Sequence, residues 1–198
     1  MQSPIPIESR ALGTLAYIRT SIESSGSMAV PGMAGIVMGI IGIVATIVTS
    51  LSPLAAHWLP VWLVAGAIAL IVGGAMMARQ AAQSGHARYL GPVRKFLFCL
   101  CPALMAGAVL TLVLWHAGNT SLIPGVWLLL YGCAVLSAST VTIARTMRLI
   151  CIMGCLFMLL GLLAFAAPAY LHTLILGMGF GALHSIFGVL IGHVSHGE

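Results

Sequence analysis

Residues 30–51 read VPGMAGIVMGIIGIVATIVTSL, an unbroken apolar run with no Lys, Arg, Asp or Glu. A hydrocarbon core about 30 Å thick needs roughly 20 such residues of helix, because lipid offers nothing to satisfy open backbone groups. Five further runs of comparable length follow, at Leu59 to Ala78, Phe96 to Ala117, Leu122 to Ala144, Leu149 to Ala167 and Tyr170 to Val194. None holds a formal charge. The expected fold is therefore an all-α integral membrane protein, a six-helix bundle built as three antiparallel hairpins, because very short outer turns force neighbouring helices to run antiparallel.

Composition agrees. Of 198 residues, 61% are hydrophobic and only 6% charged, with a mean hydropathy of +1.13. A water-facing surface takes about a quarter charged residues, so a soluble domain is excluded. The organisation reads as a cytoplasmic amino-terminal segment over 1–29, a membrane domain over 30–194 and a short cytoplasmic tail over 195–198. The net charge of +5 does not point to nucleic acid. The cations fall between apolar runs rather than along a stripe interleaved with aromatics.

Their placement sets an expected orientation. Arg10 and Arg19 precede the first run, Arg79, Arg88, Arg94 and Lys95 lie between the second and third, and Arg145 and Arg148 lie between the fourth and fifth. The connections around Ser52 to His57, Gly118 to Ser121 and Pro168 to Ala169 carry none, so the positive-inside rule puts both termini in the cytoplasm. Trp58, Trp62, Trp115, Trp127 and Tyr170 gather at the opposite ends, as an interfacial aromatic belt would. No cleavable signal pattern precedes the first run, which reads as a retained helix. Upstream, Leu12, Leu15, Ile18 and Ile22 recur at helical spacing, with Arg19 and Glu23 set for an i,i+4 pair. This predicts a short amphipathic cytoplasmic helix on the membrane surface, on the bundle, or against a cytoplasmic protein partner.

Inside lipid, helices associate through small residues that let backbones approach. Gly35, Gly39 and Gly42 mark such a face on the first run; Gly177, Gly181, Ser185, Gly188 and Gly192 mark another on the sixth. These faces bury contacts within one subunit or join copies into a homo-oligomer. Leu59-Pro60-Val61-Trp62 with Gly66 is echoed by Ile123-Pro124-Gly125-Val126-Trp127 with Gly132, a weak internal repeat at the start of two returning helices.

His184 falls on the same stripe as Gly181 and Gly188 and so points into the bundle, where an ionisable group is costly and rarely idle. Two readings stay open. It is a neutral imidazole bonded to Ser137, Ser139 or Thr140 on the fourth helix, or it marks a ligand site with Gly181, Gly188 and Ser137 around it. His57, His116 and His172 map to outer helix ends, where three imidazoles meeting on one face would hold a metal or sense protons. No second histidine shares the depth of His184, as a bis-histidine haem would need. Cys99, Cys101, Cys133, Cys151 and Cys155 fall within the spans and read as small buried hydrophobes. The only acids are Glu8, Glu23 and Glu198, and no GxSxG or HExxH occurs, so no catalytic residue is assigned and an enzyme is not expected.

The pattern Leu15-Ala16-Tyr17-Ile18-Arg19-Thr20 with Ser27 and Ala29-Val30-Pro31-Gly32, and the ending Gly179-Phe180-Gly181-Ala182-Leu183-His184 with Phe187-Gly188, resembles a group of uncharacterised small bacterial multi-pass inner-membrane proteins. The resemblance covers both ends and implies no activity or cofactor. In architecture, three Gly-rich hairpins are also similar to acid-resistance membrane proteins of the HdeD type. Three functions are expected in order: a non-enzymatic protein that binds or senses a small hydrophobic molecule or lipid near His184; a small transporter or channel subunit using Thr46, Thr49, Ser137, Ser139, Thr140, Thr142 and His184; and an extracytoplasmic His-based metal or proton site.

Overall fold

A computed structural model describes residue 15 and residues 30–51, 54–83 and 90–196. It is helical throughout, with no strand among the described residues. Five helices cover the first five runs: α1 (Gly32–Ser50), α2 (Trp58–Gln83), α3 (Leu90–His116), α4 (Ile123–Ser139) and α5 (Ala144–Ala166). The sixth run is composite, with α6 (His172–Leu176), a π-wound stretch (Gly177–Leu183) and α7 (His184–His196) in continuous succession. Six segments are thus long and apolar enough to cross a membrane. Apart from Leu15, the expected amino-terminal helix lies outside the described residues.

Local chemistry explains where the helices stop. Pro31 caps α1 with an extended backbone, and Pro168 precedes the sixth run in the same conformation. After α3 the chain turns on Gly118, whose φ of 73° suits a residue without Cβ, and Asn119 N–H closes back on the Leu114 carbonyl at 2.9 Å. One boundary departs from expectation. α4 ends at Ser139 instead of near Ala144, because Thr140 and Thr142 turn their hydroxyls onto the carbonyls of Ser137 and Ser139 and hold a tight turn. α5 then starts early, with Arg145 and Arg148 in its opening turns.

The two most extensive interfaces are α1 against the sixth span and α4 against α5. Both are close backbone approaches. A Cβ on Gly35 would lie 2.9 Å from Gly188 Cα, and one on Gly188 would lie 2.6 Å from Ile36 N. On the other pair, Gly132 and Gly154 face each other's carbonyls, and Gly161 faces the carbonyl of Gly125. The two glycine faces expected either within a subunit or between copies are therefore pressed together inside one chain. By contrast, α2 and α3 touch each other little. Only 11% of either span is buried, against 33–44% for the other four.

Candidate functional site

The sixth span reaches the bundle centre through its π-wound stretch. Three glycines make the wide turn feasible, since a Cβ on Gly179 would meet Leu128 Cδ2 at 2.6 Å and one on Gly181 would meet Ile43 Cγ1 at 2.9 Å. A π-turn inserts a residue into the 3.6-residue repeat and re-aims the side chains beyond it. The first of these is His184.

Its imidazole is 3% exposed. Nε2 lies 2.7 Å from the Tyr131 hydroxyl of α4. The ring stacks on Phe180 at an interplanar angle of 17° and meets Phe157 edge-on at 5.2 Å. Nδ1 has the carbonyls of Gly179 and Phe180 in reach but completes a well-formed hydrogen bond to neither. This arrangement suits a neutral imidazole with its proton on Nδ1 and the tyrosine O–H donating to Nε2.

The partner differs from the three hydroxyls expected. Ser137 is exposed, Ser139 donates to the Leu136 carbonyl, and Thr140 donates to the Ser137 carbonyl. The early end of α4 is the reason: these residues occupy its last turn and the loop, roughly 9–14 Å along the axis from Tyr131. A signal for Tyr131 existed, since a tyrosine at mid-span needs a partner for its hydroxyl. Gly181 is likewise a helix contact, against Ile43 and Gly42.

Beside this pair lies a cavity of about 340 Å³. Its lining includes Trp62, Trp127, Tyr131, Phe180 and His184, together with Gly66 and Leu70 of α2 and Ala103 and Gly107 of α3. The aromatic wall is continuous, with Tyr131 and Phe180 5.2 Å apart and Trp62 and Phe180 6.1 Å apart. Trp127 Nε1 donates to Thr111 Oγ1 at 2.7 Å, and Thr111 donates in turn to the Gly107 carbonyl. Trp62 Nε1 is buried and has no partner. No Lys, Arg, Asp or Glu lines the cavity. Trp62 and Trp127 thus face inward rather than joining the lipid-facing belt, whereas Trp115 and Tyr170 are exposed at helix ends.

Protein-family models, curated proteins and solved structures were all compared with this chain, and none matches.

The remaining candidates separate. Among the described residues no three His, Cys, Asp or Glu side chains come together as a metal site. His57 and His116 are exposed, and His172 Nε2 sits 3.2 Å from the Ala167 carbonyl. The three imidazoles stand at the starts or ends of different helical segments. The hydroxyls considered for a transport path turn back on their own helices, Thr46 to the Gly42 carbonyl and Thr49 to that of Ala45. All five cysteines are free thiols, and Cys151 donates to Ser139 Oγ at 3.2 Å. Gly188 borders a second hollow of about 110 Å³ that touches the other side of Tyr131 and His184.

Proposed function

We propose that this is a non-enzymatic protein of the bacterial inner membrane that binds or senses a small hydrophobic molecule or lipid in the cavity beside His184. The observation that carries the reading is an apolar space walled by aromatic rings, in which the side chains with nitrogen or oxygen are Trp62, Thr111, Trp127, Tyr131 and His184. Ligand sites of small molecules have this make-up and start near 300 Å³. The sparse contact between α2 and α3, both of which line the cavity, supports entry from the bilayer.

In the same reading the six spans are three antiparallel hairpins with both termini cytoplasmic, and the chain belongs with the small bacterial inner-membrane proteins its two ends resemble. The described cations support this orientation. Arg79 lies in the last turns of α2, Arg94 and Lys95 in the opening turns of α3, and Arg145 and Arg148 in the opening turns of α5, positions that three antiparallel hairpins would bring to one side. Cations at a helix amino terminus oppose the helix dipole. Their presence at α3 and α5 is better explained by topology than by helix stability.

The test uses Gly66, which lines the cavity and whose added Cβ would meet nothing within 4 Å. Wild-type protein and Gly66→Leu are purified in mild detergent, denatured, and their organic extracts compared by mass spectrometry. A species near one per chain in wild type and at least about tenfold lower in Gly66→Leu is expected, tenfold corresponding to about 1.4 kcal/mol of lost affinity. Equal extracts from two equally folded proteins would refute the reading.

A further inference from the structure

The cavity and the smaller hollow adjoin, for Met38, Ala69, Leu70, Tyr131 and His184 line both. They occupy different halves of the bundle. The cavity reaches Trp62 in the opening turns of α2 and Thr111 near the end of α3, whereas the hollow reaches Pro31 before α1, Met77 near the end of α2 and Phe96 near the start of α3. Met38 stands at the junction, its sulfur 3.1 Å from where a Cβ on Gly73 would sit. An unbranched thioether is well suited to swing aside and join the two spaces. Neither is lined by Lys, Arg, Asp or Glu.

Charge begins just beyond the far end of the hollow. Met77 packs against Val93 and Phe96, which joins the end of α2 to the start of α3. Arg79 follows Met77 by two residues, and Arg94 and Lys95 lie between Val93 and Phe96 in the chain; all three are exposed. No Asp or Glu occurs among the described residues, so no carboxylate among them balances these cations. The Arg94 guanidinium lies 5.2 Å from the centre of the Phe98 ring, one turn further into the span. An arginine reaching for water would extend toward the start of its helix, and this one leans toward the apolar part. The positive-inside rule accounts for cations at this end but not for that direction.

Length points to the same occupant. An acyl chain that fills one leaflet covers about 15 Å, half of a hydrocarbon core about 30 Å thick. At about 1.5 Å per residue, that distance runs along α2 from Met77 to the level of Ala67. Ala67 lines the cavity. A tail entering from the charged end therefore passes the junction at Met38 and finishes in the larger space.

We infer that the two spaces together hold one acyl chain of an anionic phospholipid, its phosphate beside Arg79, Arg94 and Lys95 and its tail running past Met38 into the cavity. This rests on the reading that the cavity binds a hydrophobic molecule and names that molecule's class. A free apolar molecule would fill the same spaces and make no use of the cations at their end.

The test uses the full chain in phosphatidylcholine nanodiscs containing a trace of phosphatidylglycerol or phosphatidylcholine probe, each with a diazirine at the tip of one palmitoyl chain. After irradiation, labelled residues are located by mass spectrometry. The anionic probe should label the α2 and α3 residues that line the cavity at least about fivefold more than the zwitterionic probe, fivefold corresponding to about 1 kcal/mol, the effect of one cation near a membrane surface. Gly74→Leu, whose Cβ meets nothing within 4 Å, places a side chain in the hollow and should remove those labels. Arg94→Gln leaves Arg79 and Lys95 to hold the topology, should melt as wild type does, and should lower the preference at least about twofold. Equal labelling of the cavity by both probes in wild type overturns the anionic headgroup. Labels that fall only on lipid-facing residues, or that survive Gly74→Leu, overturn the path of the tail. In each case cavity binding stands if wild type still carries the extracted species that Gly66→Leu loses, and both readings fall if that species is absent.

Discussion

Gly132 of α4 and Gly66 of α2 come after similar helix starts, Pro-Gly-Val-Trp and Pro-Val-Trp, yet meet opposite surroundings. A Cβ on Gly132 would lie 2.7 Å from the Gly154 carbonyl, whereas one on Gly66 would touch nothing within 4 Å. The first glycine closes an interface; the second keeps a space open. The same division holds across the molecule. α1 with the sixth span, and α4 with α5, are joined by backbone contact at glycine, while α2 and α3 lean on this frame and leave a seam lined by apolar side chains. In lipid, where apolar burial drives little association, only the close contacts hold helices firmly. A ligand entrance fits best where they are missing.

Substitutions sharpen the contrast, beginning with the largest effect. Gly39→Leu would drive a side chain into Ser185 and the Gly181 carbonyl, and Gly132→Leu would do the same at Gly154. Each should cost at least about 3 kcal/mol, because backbone cannot yield as a side chain does. Denaturant unfolding in mixed micelles measures it, and near-wild-type stability for either would break the division. His184→Ala removes a buried ring packed on Phe157 and Phe180 and orphans the Tyr131 hydroxyl. A loss of about 2–4 kcal/mol is expected in the same assay. Tyr131→Phe keeps the packing and leaves Nε2 unpaired, for about 1–2 kcal/mol. The smallest change belongs to the seam: Gly66→Leu should stay within about 0.5 kcal/mol of wild type. A large destabilisation there would mean that α2 is held more tightly than its contacts indicate.

Much of this frame was legible in the sequence. Apolar runs of membrane length fix six helices because lipid leaves the backbone no alternative, and the glycine stripes on the first and sixth runs do pack, against each other. What the stripes do not carry is their partner, since a small-residue face reads the same whether it meets another span or another copy. The glycines of α4 and α5 were harder to read, being spread over Gly125, Gly132, Gly154 and Gly161 without a close repeat. The inward direction of His184 was legible, but its bond to Tyr131 depended on where α4 ends, and two threonine hydroxyls decided that. Trp62 and Trp127 look like belt residues by position alone, and only three-dimensional packing turns them to the cavity. Three histidines at equivalent helix ends suggest a metal site on a linear map. Short turns fix their depth, not their distance.

The most direct measurement is an experimental structure of the protein purified in native lipid, inspected for non-protein density between α2 and α3. Density filling the space beside His184 is the expected result. A dry seam, closed by Leu63, Leu70 and Leu104 with no density inside, would contradict the assignment of this cavity as the working site.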